Sequence, residues 1–530
     1  MAAAKPARSP AAVRWLALWL ALAAASLSRA ESPVAEEVVL LANRDDDDRD
    51  GVADADDDRV NGPADGDDLA VVRLAAPPGT RRLRIAADDA PLRFFARDGG
   101  GWRHLGRGAG ELAVPAAAAE EGIDLGIEAI AWAGLPAEWT GRATIRVAFE
   151  GSDAAPRELA VRVAPVVLLP ATAPVAEVYV ATGRYDNAGF IAALEGVLEP
   201  LAVPLRTHAA RDWKEMWMQD TMEIGIATTP RASMHVVLAG LRNADSFPPT
   251  LLGPDVAIVE AATFRPLGGG DAWADWYGNL EASVPTAAHP RGRVIHGRNR
   301  LTGTGFHPDA VRFLAAQGAQ PPVWIDTSWL LIKHVDEIVS FLPGTDGGGV
   351  ILVPDPDLGM RLLGDDPDLP QPVADRRREA NRRIARELEA LLGGGAEPPR
   401  AGTHDGAGPA GLLGLLGLDA SRVVRLPVAF DVPAEGLLAD GGVTNASSLW
   451  SNPVNALVVN GTVICGSAGM PAAVRDTCRE RFLAAGAGRV EFIDDAVYQK
   501  NHGNVHCATN ARRDSGAEPE PADSERGGRP

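Results

Sequence analysis

The sequence predicts an α/β domain that is preceded by a smaller β-sandwich. Its 530 residues exceed what one hydrophobic core normally holds, so more than one domain is expected. Up to about residue 167, short apolar or alternating runs are separated by Gly, Pro and Asp, as in a sandwich. From about residue 168, strand-like and helical stretches alternate. We expect a sandwich over residues 31–167, an α/β domain over 168–513 and a disordered tail over 514–530.

The first 30 residues have the pattern of a secretory signal peptide. Lys5, Arg8 and Arg14 give a positive start, and an apolar stretch follows it from Trp15. The small residues before the end of this segment predict cleavage after Ala30 and a secreted protein, extracellular or periplasmic. An uncleaved anchor is the alternative, although the apolar stretch is short for a membrane span.

The charge balance restricts the partners that the protein can have. Its 51 Lys and Arg and 71 Asp and Glu give a formal net charge of -20 at pH 7. Such a chain disfavours nucleic acid or an anionic membrane as the main partner, and it favours cations or basic proteins. Beyond the leader, we find no stretch of the sequence that could cross a bilayer.

An aspartate-rich segment in the predicted sandwich indicates calcium binding. The segment Asn43–Asp68 contains twelve aspartates and no glutamate, and it lies between two predicted strands. Ca²⁺ takes about six to eight oxygen ligands, which short Asp and Asn side chains on tight turns can supply. So many carboxylates in one loop would repel one another without a cation. The terminal Glu of an EF-hand is missing, so a different type of calcium loop is expected.

The three cysteines include one candidate nucleophile. Cys465 and Cys478 form a disulfide or remain as two buried free thiols, and the odd number leaves at least one cysteine unpaired. Cys507 lies in the polar stretch NHGNVHCATNARR, which is an unusual setting for a cysteine that only fills a core. A cysteine with a histidine suits covalent catalysis in general, including that of cysteine proteases.

Two further polar segments contain candidate partners of this cysteine. Asp220 lies in DWKEMWMQDTMEIG, and His334 and Asp336 lie two residues apart in LLIKHVDEIVSFLPG. If that apolar stretch is a strand, the two side chains point to the same side of it. A buried carboxylate needs a positive partner. Two separated carboxylates favour a cationic substrate, and a planar guanidinium is the best match because carboxylates bind its N–H groups in pairs.

Several of these stretches resemble the motifs of the protein-arginine deiminase family. The matching stretches, in chain order, are WMQDTMEIG, YGNLEASVP, KHVDEIVSF, NPVNALVV and HCATNARR. The resemblance covers roughly residues 36 to 513. It implies a catalytic domain with the five-bladed pseudosymmetric α/β propeller of that family (the pentein fold), preceded by an immunoglobulin-like β-sandwich.

The resemblance also implies a role for each matching residue. Cys507 would attack the guanidinium carbon of arginine, and Asp220 and Asp336 would hold the guanidinium nitrogens. His334 would protonate the departing ammonia and then activate water. Trp217 would pack on the methylene groups of the substrate. For the arginine that grips the substrate backbone in this family, Arg242 is the nearest counterpart.

Calcium ligands are implied in both domains. In the catalytic domain the resemblance assigns the side chains of Gln219, Glu223 and Glu281 and the carbonyl groups of Tyr277 and Leu280. In the sandwich it assigns Asn43, Asp45, Asp47, Asp65 and Asp68, in agreement with the reading of the acidic segment. Asp255 matches the catalytic-domain residue that completes the sandwich cluster.

Three functions therefore stand for comparison. The first is a secreted, calcium-dependent deiminase acting on arginine in proteins or peptides. The second keeps the chemistry but acts on a small guanidine, such as free arginine or agmatine. The third is a calcium-binding protein without enzyme activity on the same scaffold, although all four catalytic residues are present. A cysteine protease, which would release new amino termini instead of ammonia, ranks behind these three.

Overall fold

The computed structural model describes most of the chain. The described residues are 37–115, 122–240, 246–260, 274–300, 302–365, 367–393, 401–403 and 411–515. The leader, Arg242 and the tail beyond residue 515 lie outside these ranges, so what we predict for them stays a prediction. In the part of the chain that is described, no helix combines the length and the apolar character that a membrane span requires.

The segment that follows the leader forms two β-sheets with a common core. Strands β1 to β9 are Val38–Leu40, Ala70–Leu74, Arg82–Ala86, Leu92–Asp98, Gly101–Arg107, Ala109–Ala113, Ile123–Ala129, Arg142–Glu150 and Arg157–Val163. One sheet has the order β1-β9-β8-β3-β6, and the other has the order β2-β7-β4-β5. Buried side chains of both sheets, such as Ile85 and Phe94, belong to one hydrophobic cluster. The two sheets therefore pack face to face, as the alternating apolar pattern predicts.

The rest of the chain alternates strands with helices. Strands β10 to β28 are Val167–Leu168, Val175–Thr182, Leu205–Ala209, Met222–Thr228, Ser233–Ala239, Val256–Val259, Leu280–Ala282, Val294–Arg298, Val323–Asp326, Ser340–Pro343, Gly349–Asp355, Ala401–Thr403, Val423–Pro427, Phe430–Asp431, Ser447–Ser448, Leu457–Val459, Thr462–Gly466, Arg489–Ile493 and Thr509–Arg513. Helices α1 to α10 are Pro63–Asp68, Ala188–Leu198, Met218–Thr221, Pro308–Ala316, Pro356–Leu363, Gln371–Leu392, Leu412–Leu416, Ala472–Ala485, Ala496–Gln499 and Val505–Ala508. The α/β class predicted from about residue 168 onward is therefore correct.

Five sheets of the α/β part are built on the same pairing motif. In each, a central strand pairs antiparallel with one neighbour and parallel with the other. The five motifs are β28-β11-β12, β13-β14-β15, β16-β17-β18, β19-β20-β22 and β25-β26-β27. A parallel pair needs a crossover connection, and helices α2, α4 and α8 lie in three of these crossovers. The motif recurs without a sequence repeat because backbone pairing does not require identical side chains.

The last strand, β28, joins the end of the α/β part to its beginning. It pairs antiparallel with β11, with Thr509 opposite Val180 and Arg513 opposite Val175. The Arg513 guanidinium donates to the carbonyl oxygens of Ala171 and Val458, which anchors the strand at its far end. Helix α10, which carries Cys507, directly precedes β28 and is therefore held between fixed elements.

The chain around His334 and Asp336 is not a strand, so our prediction of a strand there is wrong. Val335–Glu337 form a 3₁₀ turn, and β19 begins only at Ser340. The Glu337 side chain accepts a hydrogen bond from the backbone N–H of His334 at 3.4 Å, which closes this turn. Lys333, just before it, has a φ of 68°, which a strand does not contain.

Helix α6 packs into the α/β part through one apolar face. Ile384, Leu388 and Leu391 on that face are at most 3% exposed and share a hydrophobic cluster with strand residues such as Ile351. Arg386 lies on the exposed face. This amphipathic arrangement is the one that the sequence predicts for this helix.

Replacement of Ile384 tests how much this face stabilises the protein. Ile384→Ala should lower the free energy of unfolding by about 2–5 kcal/mol, because it removes apolar contacts and leaves a cavity. Arg386→Ala on the opposite face should change it by less than about 0.5 kcal/mol. Urea unfolding followed by circular dichroism measures both values. Equal effects of the two substitutions would contradict the packing described for α6.

Candidate active site

The four candidate catalytic residues meet although they come from three distant segments. Cys507 lies in α10, Asp220 lies in α3 directly before β13, and His334 and Asp336 lie at the 3₁₀ turn. Cys507 Sγ lies 3.4 Å from Asp336 Oδ2, and His334 Nδ1 lies 3.6 Å from Asp220 Oδ1. Each of the four residues is at most 8% exposed. The arrangement places a thiol, an imidazole and two carboxylates around one small space.

Gly278 keeps that space open. A Cβ atom at this position would lie 2.6 Å from His334 Nδ1, 2.7 Å from Asp220 Oδ1 and 3.3 Å from Asp336 Oδ2. Any other residue would therefore place its side chain among the catalytic groups. The backbone N–H of Gly278 also donates a hydrogen bond to Asp220 Oδ1 at 3.0 Å, which orients that carboxylate.

The electrostatics of the site favour a cationic ligand. Burial raises the pKa of Asp220 to about 6, while His334 opposes this rise and Asp336 adds to it. Burial also raises the pKa of the Cys507 thiol well above its usual range, and the charges of Asp336 and Asp220 raise it further. A cation between the two carboxylates would offset both effects. A guanidinium has the required charge, planar shape and N–H donors.

A cavity of about 520 Å³ reaches these residues and has aromatic walls. Trp217 lines it together with Tyr185, Trp213 and Trp276. The Trp217 ring packs edge to face against Tyr185, with the ring centroids 6.0 Å apart. Gly503 packs against the same indole ring. A Cβ atom at position 503 would lie only 2.2 Å from Trp217 Cζ3, so only glycine leaves room for the ring. Trp217 is thus fixed as an apolar wall on which methylene groups can pack.

His506 links the catalytic residues to a second acidic group, and the sequence reasoning did not identify it. Its Nδ1 lies 3.0 Å from Asp336 Oδ2, and its Nε2 lies 3.6 Å from Glu281 Oε1. Burial alone would lower the pKa of His506, but the hydrogen bond to Asp336 and the charge of Glu281 raise it above its usual value. In the sequence, the indication of its role is its position directly before Cys507. Its acidic partners lie far away in sequence.

The second acidic group surrounds a small buried cavity of about 30 Å³. Its lining includes four of the five residues assigned to the catalytic-domain calcium site, namely Gln219, Glu223, Leu280 and Glu281. The fifth, Tyr277, begins the 3₁₀ turn Tyr277–Asn279 directly before β16. Burial raises the pKa of Glu223 to about 7 and that of Glu281 to about 8. The two carboxylates line this cavity together with His506 and Arg513, and their oxygens are of the type that a calcium ion takes as ligands.

The aspartate-rich segment places three carboxylates together near the α/β part. Oxygen atoms of Asp45, Asp47 and Asp68 lie within 4.8 Å of one another. Burial raises the pKa of Asp45 to about 8 and that of Asp68 to about 9, and mutual repulsion adds to both shifts. The backbone N–H of Asp255 donates to Asp45 Oδ2 at 2.9 Å. The structure therefore brings Asp255 to this cluster, as the resemblance implies.

A second group shares Asp47 with the first. Oxygen atoms of Asp47, Asp54 and Asp65 also lie within 4.8 Å of one another. Asn43 is buried beside them, and its Nδ2 donates to Asp65 Oδ1 at 2.7 Å. One side-chain oxygen each of Asn43, Asp45 and Asp47 is buried without a hydrogen-bond partner, which suits metal ligands. Asp54 was not among the expected ligands, because a run of twelve aspartates does not reveal which ones turn inward.

Of the remaining assignments, the structure settles that of Cys465 and Cys478, whereas that of Arg242 falls on a residue that it does not describe. Cys465 and Cys478 are both buried free thiols, which settles the choice that the sequence left open. Arg242, the proposed contact to the substrate backbone, lies outside the described residues. Its part in the site therefore stays a prediction.

Comparison with known proteins finds similarity to one family of enzymes. The family model "Protein-arginine deiminase (PAD)" matches residues 155–387. Protein-arginine deiminase type-3 of Homo sapiens is 36% identical over 198 residues, which is 36% of this chain and 29% of that protein. The type-3 enzyme of Rattus norvegicus is 29% identical over 385 residues, which is 67% of this chain and 54% of that protein. This chain is therefore similar to protein-arginine deiminases over these residues.

The matches cover about half or less of these relatives' length, between 29% and 54%. Among solved structures, the agmatine deiminase of Enterococcus faecalis is 12% identical with a TM-score of 0.39, covering 66% of this chain and 96% of that one. The family match reaches from the sandwich into α6 and includes Asp220, His334 and Asp336.

Replacement of Asp68 tests the strain of the acidic cluster in the absence of a cation. With a chelator present, Asp68→Asn should raise the free energy of unfolding at pH 7 by about 1 kcal/mol or more, because it removes a carboxylate that burial makes costly to ionise. The gain should vanish below about pH 4, where this carboxyl is protonated in both states, and should grow as the pH rises toward 9. Urea unfolding at several pH values measures it.

Asp67 provides the matched control for this experiment. It is the neighbouring aspartate but it is exposed, so Asp67→Asn should leave the free energy of unfolding nearly unchanged at every pH. Two results would contradict the claim that the cluster is strained without a cation. One is a free energy of unfolding of the wild-type protein in chelator that does not fall between pH 5 and pH 9. The other is an equal gain in stability from both substitutions.

Proposed function

We propose that this protein is a secreted, calcium-dependent deiminase that hydrolyses peptidyl-arginine to peptidyl-citrulline and ammonia. The observation that carries the proposal is the grouping of Cys507, Asp336, Asp220 and His334 around the space in front of Gly278. Similarity to the protein-arginine deiminase family supports the same proposal. A deiminase needs a nucleophile, a clamp for a guanidinium and a group that transfers protons, and these residues supply all three.

The substrate guanidinium would lie between Asp220 and Asp336, with its carbon facing the sulfur of Cys507. Its positive charge offsets the repulsion that keeps the thiol protonated, so substrate binding favours the thiolate. The two carboxylates accept hydrogen bonds from the guanidinium nitrogens and hold the plane of the group in front of the nucleophile. Trp217 would pack on the methylene groups that connect the guanidinium to the peptide.

The reaction follows in two halves. The Cys507 thiolate attacks the guanidinium carbon, and His334 gives a proton to the nitrogen that leaves as ammonia, so a thiouronium intermediate forms. His334 then takes a proton from water, and the resulting hydroxide attacks the same carbon. The carbon–sulfur bond breaks with its electron pair returning to sulfur, which releases citrulline. Asp220, 3.6 Å from His334 Nδ1, is placed to stabilise the imidazolium form.

Calcium would have two places in this protein. Gln219, Glu223 and Glu281, with the carbonyl groups of Tyr277 and Leu280, would hold one ion beside the catalytic site. Asn43, Asp45, Asp47, Asp65 and Asp68 would hold calcium in the sandwich, with Asp255 and, from the geometry, Asp54. The buried oxygens that lack hydrogen-bond partners and the raised carboxyl pKa values support this fit. Bound calcium supplies the positive charge that lets these carboxylates ionise together.

The finer architecture and the location belong to the same proposal. The five sheets with a common pairing motif support a five-bladed propeller, and the two packed sheets that precede them support an immunoglobulin-like domain. The signal-like leader supports secretion, and outside the cell calcium would be available. The acidic surface favours arginine-rich proteins as substrates.

Ammonia release from a blocked arginine peptide tests the function. The peptide carries an acetylated amino terminus and an amidated carboxyl terminus, and the assay is run with Ca²⁺ and with a chelator. We expect release with Ca²⁺ only, and a mass increase of the peptide that corresponds to citrulline. Cys507→Ala should abolish turnover and still fold, and Asp220→Asn should mainly destroy guanidinium binding.

Other outcomes separate the alternatives. Release from free arginine or agmatine but not from the peptide would move the substrate to small guanidines and keep Cys507 as the nucleophile. Activity that persists in Cys507→Ala would contradict the mechanism. No release from any guanidine would leave a calcium-binding protein on a deiminase scaffold.

Replacement of Gly278 tests the shape of the site. Gly278→Ala should lower the rate of ammonia release by about 100-fold or more, because its methyl group displaces the guanidinium from the nucleophile. Gly189→Ala is the control, since a Cβ there meets no atom within 4 Å and helix α2 favours alanine. Thermal unfolding must show that both variants fold. Full activity of Gly278→Ala would contradict the placement of the substrate.

A further inference from the structure

Asn455 is a neutral side chain in contact with the sulfur of Cys507. Its Nδ2 lies 3.2 Å from Cys507 Sγ and also donates to the carbonyl oxygen of Asp336 at 3.4 Å. Its Oδ1 accepts the backbone N–H of Cys507 at 3.2 Å. Asn455 is only 1% exposed, so water does not compete for these contacts.

These partners fix which end of the Asn455 amide faces the sulfur. The backbone N–H of Cys507 can only donate, so it must meet the amide oxygen. The carbonyl oxygen of Asp336 can only accept, so it must meet the amide nitrogen. The sulfur lies on the nitrogen side, and an N–H group therefore points at Cys507 Sγ.

The backbone holds Asn455 rigidly in this position. Its carbonyl oxygen accepts a hydrogen bond from the backbone N–H of His506 at 3.2 Å. Asn455 thus accepts hydrogen bonds from the backbone N–H groups of two successive residues, His506 and Cys507. Its own N–H donates to the carbonyl oxygen of Asn452 at 3.1 Å. Asn452 is itself held in place, since its backbone N–H donates to Asn504 Oδ1 at 2.9 Å and its Nδ2 donates to the carbonyl oxygen of Glu337 at 2.8 Å.

The amide N–H of Asn455 counteracts the negative charges of the two carboxylates near the Cys507 sulfur. Asp336 Oδ2 lies 3.4 Å from Cys507 Sγ, and the charges of Asp336 and Asp220 both disfavour a thiolate. The substrate guanidinium offsets those charges while it is bound, but it does not supply a directed bond to sulfur from the protein side. A hydrogen bond to an ionised acceptor is about twice as strong as one between neutral groups. The contact therefore stabilises the thiolate more than the thiol.

We propose that Asn455 is a catalytic residue that stabilises the Cys507 thiolate by donating its amide N–H to the sulfur. The inference rests on the proposed function for its place in the reaction, but the contact itself does not. The thiolate is the attacking group in the first half of the reaction. It is also the leaving group in the second half, when the carbon–sulfur bond breaks and its electron pair returns to sulfur. The same N–H serves both steps, and the amide neither gains nor loses a proton.

Alkylation of Cys507 without substrate tests the contact directly. The rate of reaction of the full-length, calcium-loaded protein with iodoacetamide is followed at the Cys507 peptide by mass spectrometry from pH 6 to pH 10. Asn455→Ser replaces the amide with a shorter hydroxyl side chain that ends before the sulfur, and Asn455→Asp keeps the shape but replaces the N–H group with oxygen. We expect the alkylation rate at each pH between 6 and 10 to fall about tenfold or more in both variants, as a rise of about one pH unit in the midpoint of the profile requires.

Asn381 provides a matched control for a purely structural effect. It is also a buried asparagine, and its amide bridges helix α6 to Phe430 by donating to the carbonyl oxygen at 2.7 Å and accepting the N–H at 2.8 Å. It lies in an element that does not contribute to the site. Asn381→Ser should cost comparable stability in thermal unfolding and leave the alkylation profile of Cys507 unchanged.

The outcomes are distinguishable from failure of the proposed function. An unchanged midpoint in a folded Asn455 variant, or an equal shift in Asn381→Ser, would overturn the role of Asn455. A shifted midpoint without deimination of any guanidine would support the thiolate contact and refute the proposed function instead. Where deimination is measurable, kcat should fall about tenfold or more while KM changes little, because the amide contacts the sulfur and not the guanidinium.

Discussion

The burial of several carboxylates in close groups is the constraint on which this structure depends. Asp220 and Asp336 face each other across the catalytic space, Glu223 and Glu281 share a small cavity, and the sandwich loop gathers further aspartates. Burying a negative charge in a protein costs several kcal/mol unless a cation compensates it. Each cluster therefore favours a cationic partner, and the proposed function assigns a guanidinium to the first cluster and metal ions to the others.

Part of this arrangement was predictable because it depends on short-range sequence. The polar flanks of Cys507 marked it as more than a core residue, and the acidic loop was evident from its composition. The alternation of strands and helices gave the α/β class. The family motifs added what composition could not, for example Asp255, which lies 210 residues from its partner Asp45. Without the resemblance, nothing local connects that aspartate to the sandwich.

The remainder was not predictable because it depends on contacts across the fold. Asn455 and Cys507 are 52 residues apart, and His506 meets Glu281 and Asp336 only after three segments have come together. The strand predicted at His334 failed for a different reason. An apolar run of that length fits a strand or a turn equally well, and the hydrogen bond from His334 to Glu337 decides in favour of the turn. The sequence near Gly278 does not indicate why glycine is needed there, because the reason is the three side chains that surround it in the folded structure.

The pairing of β28 with β11 makes the timing of chain synthesis matter for activity. Translation proceeds from the amino terminus, so β11, Asp220 and Asp336 emerge before Cys507 and β28, in the case of Asp336 by 171 residues. A chain that ends before residue 507 has Asp220 and Asp336 but lacks both Cys507 and the strand that pairs with β11. Under the proposed function such a product would have no nucleophile, so the chemistry would depend on completion of the last strand.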